Sequence, residues 1–295
     1  MVSVLVILDG ASEPLGDGPT SLERARTPVL DGLASESVVA PLRTVPRGLP
    51  AGSETAIPGL LGWLPGAPVD RGAVEAAAHE IAVTGGERAW RVDRRDRADA
   101  AETVGALAAR LPRHRVHHLA GHRMLVVGPD RSPSLGAELF AWPEGLIPPR
   151  VLDEDTVVIG ARGAAIGVAR LMGARTVVPP GATGRPGSDL AAKARAALAA
   201  IRAGAARVVV HVGAPDEAAH AHDLAAKVAA IEAADALLLA PLADAVRGAG
   251  GTLRVCPDHG CDPATGEHDA APVPCLTWPS ERASGGRLTE RAVVA

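Results

Sequence analysis

The chain has no tyrosine, a single phenylalanine (Phe140) and four tryptophans among its 295 residues. Its core must therefore be built from alanine, valine, leucine and isoleucine, and aromatic platforms for stacking nucleic-acid bases are missing. Lysine is almost absent too: Lys193 and Lys227 stand against a large excess of arginine. Together with abundant Ala, Gly and Pro this matches GC-rich coding, so most of the run from Arg91 to Arg97 reads as solvated surface. A formal charge of −4 and the lack of a basic stripe argue against nucleic acid as a partner. Three cysteines, Cys256, Cys261 and Cys275, show no Cys-x-x-Cys spacing, which points away from a disulfide framework or structural zinc and toward a reducing compartment. No apolar stretch is long enough to span a bilayer, and Val2 to Leu8 is too short for a secretion signal. The expected location is the cytoplasm, with no membrane partner.

A hydrophobic content of 47% allows one large α/β domain, or a core carrying a smaller insertion. Val2 to Leu8 has the continuous β-branched character of a parallel strand buried on both faces. Val157 to Ile159, Thr176 to Val178, Val208 to Val210 and Thr252 to Cys256 are further strands of this kind. Helices are expected at Pro28 to Ser35, with Thr27 as its N-cap, at Ala164 to Met172, at Asp189 to Arg202 and as one long element from Leu224 to Val246. Such alternation predicts an α/β fold with a doubly wound, mainly parallel sheet. The stretch from Gly66 to Arg150 is less regular and richer in Arg and His, with weaker strands at Ala89 to Val92 and Met124 to Val127. It reads as a small inserted α+β cap domain (66–150) on a discontinuous core (1–65 and 151–295).

Ligand-type residues fall where strands end. Asp9 follows the first strand, the edge at which open α/β sheets bind ligands. Asp216 and His220 are spaced i, i+4, which puts a carboxylate and an imidazole on one helical face. Asp258 and His259 close the strand at Cys256, and His268 lies in the loop beyond. Ser53 adds a hydroxyl near a helix N-terminus. Each alone also reads as a cap, a turn residue or a surface histidine; carboxylate, imidazole and hydroxyl together are the donors that hold divalent ions beside an activated nucleophile.

The order and flanks of these residues resemble the alkaline phosphatase superfamily, and within it the archaeal-type cofactor-independent phosphoglycerate mutases. Leu8-Asp9-Gly10, Thr27-Pro28 through Ala34 and Gly52-Ser53-Glu54-Thr55 through Trp63 are similar to the family's first strand, following helix and nucleophile segment. Pro180-Gly181-Ala182-Thr183-Gly184, the Asp216-to-His220 motif, Pro257-Asp258-His259, His268 and Pro272-Val273-Pro274 continue the resemblance in order. It implies an alkaline phosphatase-like core and Ser53 as the nucleophile of a phosphoserine intermediate. It also implies two divalent ions, one on Asp9, Ser53, Asp258 and His259 and the other on Asp216, His220 and His268. Manganese or zinc suits such donors ahead of magnesium.

The cap departs from the family. Asp93 stands where an asparagine is usual, and the stretch between Val127 and Val151 is short, with Trp142 its main remnant. Arg91, His122, Arg123, Arg162, Arg185 and Lys193 are the candidate contacts for a small phosphorylated metabolite. A mutase must keep water from its intermediate until the phosphoryl group returns to another hydroxyl. The resemblance therefore implies a phosphoglycerate mutase-like phosphotransferase, with a metal-dependent phosphatase or phosphonate hydrolase and a non-catalytic metal-binding relative as alternatives.

Overall fold

The apolar N-terminal run becomes the central strand of the main sheet, and its composition follows from having both faces covered. The computed structural model describes residues 1–129, 131–283 and 286–293. The chain begins with β1 (Ser3–Leu8), α1 (Ser21–Arg24), α2 (Pro28–Ala34), β2 (Val38–Leu42), α3 (Ser53–Leu61) and α4 (Arg71–Ala78). Next come β3 (Glu87–Arg94), α5 (Ala101–Arg110), β4 (Arg115–Ala120), β5 (Arg123–Pro129) and β6 (Leu139–Ala141). It returns through β7 (Thr156–Ile159), α6 (Ala164–Met172), β8 (Arg175–Val177), α7 (Leu190–Arg202), β9 (Arg207–Val212) and α8 (Ala214–His220). Then follow α9 (Leu224–Ala234), a π turn (Asp235–Leu239), α10 (Ala240–Gly248), β10 (Thr252–Cys256), β11 (Gly260–Cys261), β12 (His268–Asp269) and β13 (Val273–Trp278).

The main sheet has the order β2-β13-β10-β1-β9-β7-β8. β10, β1, β9, β7 and β8 run parallel, while β13 is antiparallel to both β10 and β2. Side chains alternate between faces along a strand. Val4, Val6 and Leu8 accordingly join an apolar cluster with α2, α7, the π turn and α10, whereas Leu5 and Ile7 join another with α3 and α6. Burying each such side chain fully is worth about 1.5–3 kcal/mol. The sheet is therefore doubly wound, as the alternation of strands and helices predicts.

Within the stretch from Glu87 to Ala141 a second, antiparallel sheet of order β4-β5-β3-β6 forms, with its own small cluster around Trp90, Val92, Leu107, Met124 and Val126. Helix α4, inside the 66–150 segment, packs on α6 of the core. That approach depends on Gly167, where an added Cβ would lie 2.0 Å from the Val74 carbonyl oxygen.

Two local expectations are corrected. The helix expected from Leu224 to Val246 is interrupted by the π turn just ahead of Pro241, whose missing N–H cannot continue an α-helical ladder. Thr27 does not cap α2 through its side chain. Asp235 on the π turn does so instead, accepting from the Val29 and Leu30 amides at 3.0 and 2.8 Å. Among the described residues no helix is long and apolar enough to cross a membrane.

Candidate metal centre and active site

Because β1, β9 and β10 are parallel neighbours, the residues that follow them emerge at the same sheet edge. Asp9 leaves β1, Asp216 lies on α8 just beyond β9, and Asp258 and His259 follow β10. Gly10 turns the chain at φ +59°, and a Cβ there would fall 2.5 Å from Asp216 Oδ1, so the close approach of these carboxylates needs glycine. Ser53 opens α3, and His268 is carried in on the β11–β12 ribbon.

The seven expected ligands meet there. Ser53 Oγ donates to Asp9 Oδ1 at 3.1 Å and lies 3.4 Å from His259 Nε2. His259 Nε2 is 3.4 Å from Asp9 Oδ1 and 3.6 Å from Asp258 Oδ2. Asp216 faces His220 Nε2 at 3.3 Å through Oδ2 and His268 Nε2 at 3.2 Å through Oδ1. The two histidine Nε2 atoms are themselves 3.0 Å apart.

The tautomers are set from behind. Nδ1 of His220, His259 and His268 lies 2.8, 3.1 and 3.0 Å from the carbonyl oxygens of Gly266, Gly260 and Ala51. A carbonyl only accepts, so each Nδ1 carries a hydrogen, the back-side bond that orients metal-binding imidazoles with Nε2 toward the centre.

The electrostatics describe a site lacking positive charge. Burial, then Asp258 and Asp216, push the Asp9 carboxyl well above its ordinary range. Burial acts the same way on Asp216, yet the His220 and His268 imidazoles beside it hold it well below the usual range. Burial takes His211 down to about 4, its Nε2 lying 3.3 Å from Asp9 Oδ2. His211 Nε2, Asp216 Oδ1 and Asp258 Oδ2 are buried without a hydrogen-bond partner. Each such atom costs roughly 1–3 kcal/mol, and three at one place fit a centre completed by divalent cations.

Above the centre lies a cavity of about 440 Å³, walled on the cap side by Arg71, Arg91, Asp93, Arg97, His122, Arg123 and Trp142 and on the core side by Arg162. The cap wall is largely neutralised from within. Arg91, expected in a solvated run, is buried and donates to Glu75 and to both oxygens of Asp93. Trp142 Nε1 donates to Asp93 Oδ2 at 2.9 Å. Arg71 pairs with Glu54 and Glu75, and Arg123 with Glu217 at 2.9 Å. Arg97 and Arg162 make no ion pair among the described residues. The two remaining expected contacts do not line the cavity: Arg185 is exposed outside it, and Lys193 is fully buried with Nζ donating to the His211 carbonyl at 2.8 Å. An ammonium sealed in this way cannot touch a substrate, so Lys193 supports the centre from beneath.

The sequence matches the metalloenzyme superfamily along residues 1–295. The chain belongs to that superfamily. It is 28% identical to 2,3-bisphosphoglycerate-independent phosphoglycerate mutase 2 of Methanothermobacter thermautotrophicus, over 94% of this chain and 88% of the relative. It is 27% identical to the 2,3-bisphosphoglycerate-independent phosphoglycerate mutase of Methanothrix thermoacetophila, over 93% and 90%. In fold it is similar to the PH0037 protein of Pyrococcus horikoshii, with a TM-score of 0.83 at 22% identity, covering 98% of this chain and 91% of the other. The cofactor-independent phosphoglycerate mutase of Thermoplasma acidophilum gives 0.55 at 17% identity, over 98% and 93%.

Sequence reasoning missed three residues that lie at this site. His211 is the penultimate residue of the apolar strand β9, five positions before Asp216, a placement that could have marked it. Lys227 is fully buried and donates to Glu13 Oε2 at 2.8 Å, the Ser12 carbonyl at 3.3 Å and the Cys261 carbonyl at 2.6 Å. It ties the loop after Asp9 to the loop after His259, and its rarity in an arginine-rich chain was the available signal. The third is Cys261, whose sulfur lies among the ligand atoms of Asp216, His220 and His268.

Proposed function

We propose that the protein is a dimetal phosphotransferase working through a phosphoserine at Ser53, which isomerises a small phosphorylated metabolite in the manner of a phosphoglycerate mutase. Ser53 supports this reading best: its hydroxyl sits at the first residue of α3, within 3.4 Å of Asp9 Oδ1 and His259 Nε2, on the floor of a cavity roofed by a second sheet. Asp9, Ser53, Asp258 and His259 would hold one ion and Asp216, His220 and His268 the other, donors that suit manganese or zinc better than magnesium. When bound, the ions lower the pKa of the Ser53 hydroxyl and offset charge on the phosphoryl oxygens. Ser53 Oγ bonds to phosphorus as the donor P–O bond breaks, and the group later returns to a second hydroxyl of the same molecule. A phosphoryl group on Ser53 would lie at the positive end of α3. Arg97 and Arg162 would face the anionic remainder of the substrate, and Trp142 with the cap sheet would limit water.

One observation favours a second reading, a metal-dependent phosphatase or phosphonate hydrolase. Arg71, Arg91 and Arg123 are already paired with carboxylates, so the cap offers fewer free charges to retain an intermediate. The 295-residue chain also aligns with the Methanothermobacter thermautotrophicus relative over 357 positions, so that relative carries insertions this chain lacks. Incubation with 2-phosphoglycerate and manganese separates the readings. Formation of 3-phosphoglycerate without free phosphate supports the mutase; phosphate release without isomerisation transfers the assignment to the hydrolase. Turnover that survives in Ser53→Ala would remove both.

A further inference from the structure

The ligand atoms of Asp216, His220 and His268 are joined by a fourth, the sulfur of Cys261, and all four lie within 4.8 Å of one another. We propose that Cys261 Sγ is the fourth protein ligand of the ion held by Asp216, His220 and His268, making that position an oxygen, two-nitrogen, sulfur site for zinc. This presupposes the two-ion centre proposed above.

The backbone aims the thiol there. Cys261 is paired directly with His268 across the antiparallel β11–β12 ribbon, and directly opposed residues share a face with Cβ atoms about 4.5–5.5 Å apart. Its main chain is fixed at both polar groups: the N–H donates to the Ser12 carbonyl at 2.8 Å and the carbonyl accepts from Lys227 Nζ at 2.6 Å. The side chain is fully buried, so its sulfur has no access to bulk water. A separate observation points to a missing cation: Asp216 Oδ1, in a residue more than nine-tenths buried, has no hydrogen-bond partner.

On metal binding the S–H bond breaks, a sulfur–metal bond forms and the proton leaves to solvent, with no change of oxidation state. Thiolate is a soft donor, and a tetrahedral set containing one selects zinc or cobalt over manganese and magnesium. The two ions would then differ in preference, the Ser53 position having only oxygen and nitrogen donors. A phosphoryl oxygen can still enter as a fifth ligand.

The test uses the whole chain, stripped with a chelator and titrated with cobalt(II), with bound metal measured by mass spectrometry and absorbance recorded in parallel. At full loading the wild type should show a near-ultraviolet sulfur-to-cobalt charge-transfer band. That band should vanish in Cys261→Ser and Cys261→Ala and persist in Cys275→Ser, with circular dichroism confirming that each variant folds. Zinc affinity should fall at least about tenfold in Cys261→Ser, with manganese affinity changing far less. Two cobalt ions bound by the wild type without the band, or a band that survives in Cys261→Ser, would overturn the ligand while leaving the two-ion reading intact. A wild type that binds no cobalt would overturn both.

Discussion

The floor and the roof of the cavity handle charge in opposite ways. On the floor, Asp216 and Asp258 each keep one buried oxygen without a partner, and His211 keeps one nitrogen. In the roof, Arg91 is as deeply buried, yet its guanidinium is paired with Glu75 and Asp93, and Asp93 also receives the Trp142 N–H. A buried charge that is hydrogen-bonded on all sides holds structure; a set of buried polar atoms left open around one point is a place for something else to bind. The floor is thus built to be completed, while the roof is largely complete.

The sharpest way to break this contrast is on the floor. Ser53→Ala and His259→Ala should each lower turnover by at least about a thousandfold, with far-ultraviolet circular dichroism unchanged, because neither side chain is part of the apolar clusters. Normal steady-state rates in either variant would mean that the open atoms serve no reaction.

Beneath the floor, Lys227→Met should cost about 3–5 kcal/mol, since it removes the cation paired with Glu13 and leaves the Ser12 and Cys261 carbonyls without their donor. Lys227→Arg should restore little of this, because the larger planar head has no room where the ammonium is sealed. Denaturant midpoints with parallel manganese titrations check both points: the loss should appear in stability and in metal affinity together, since this lysine joins the two ligand loops. A stability loss with unchanged affinity would reduce Lys227 to an ordinary core residue.

The floor was more legible in the sequence than the roof, for a physical reason. Parallel strands buried on both faces must be continuously apolar, so β1, β7, β9 and β10 stand out, and a polar residue at their carboxyl ends is conspicuous. Asp9, Asp258 and His259 could be read that way, whereas Ser53, Asp216, His220 and His268 joined them through the order of the motifs that the chain shares with the family it resembles. The roof is antiparallel and half exposed, its strands mix Arg, His and Val, and its key fact is which arginine meets which carboxylate. Arg91 and Glu75 are 16 positions apart and carry no local signal of pairing. Lys193 misled for the opposite reason: it looked available for phosphate, but the core closes around it. Cys261 was set aside because it has no partner cysteine, whereas its neighbours are histidines and an aspartate brought by other elements.

In the roof, the network makes acid sensitivity predictable. Burial opposes ionisation of Glu75, but Arg71 and Arg91 hold it down from 4.5 to about 2. A carboxylate whose folded pKa is depressed stabilises the fold above its unfolded value and loses that contribution as pH falls through the folded one. The wild type should therefore lose about 3 kcal/mol between pH 4.5 and 2 from this group, and Glu75→Gln should be weaker at neutral pH while lacking that part of the acid slope. Thermal melts across the window measure it; parallel curves for the two proteins would place the charge balance elsewhere.

The smallest expected effect falls on the part of the wall left open. Arg162 lines the cavity, is exposed and has no ion-pair partner among the described residues. Arg162→Ala should leave stability within about 0.5 kcal/mol. If it contacts substrate equally in the ground and transition states, KM should rise about tenfold with kcat little changed. Arg91→Ala, by contrast, removes the centre of the roof network and should lower the melting temperature. The pair sharpens the comparison: a KM effect confined to Arg162 would mark it as the free charge that substrate meets. A KM effect at Arg91 without loss of stability would show that its carboxylate partners yield to substrate, and that the roof is as open as the floor.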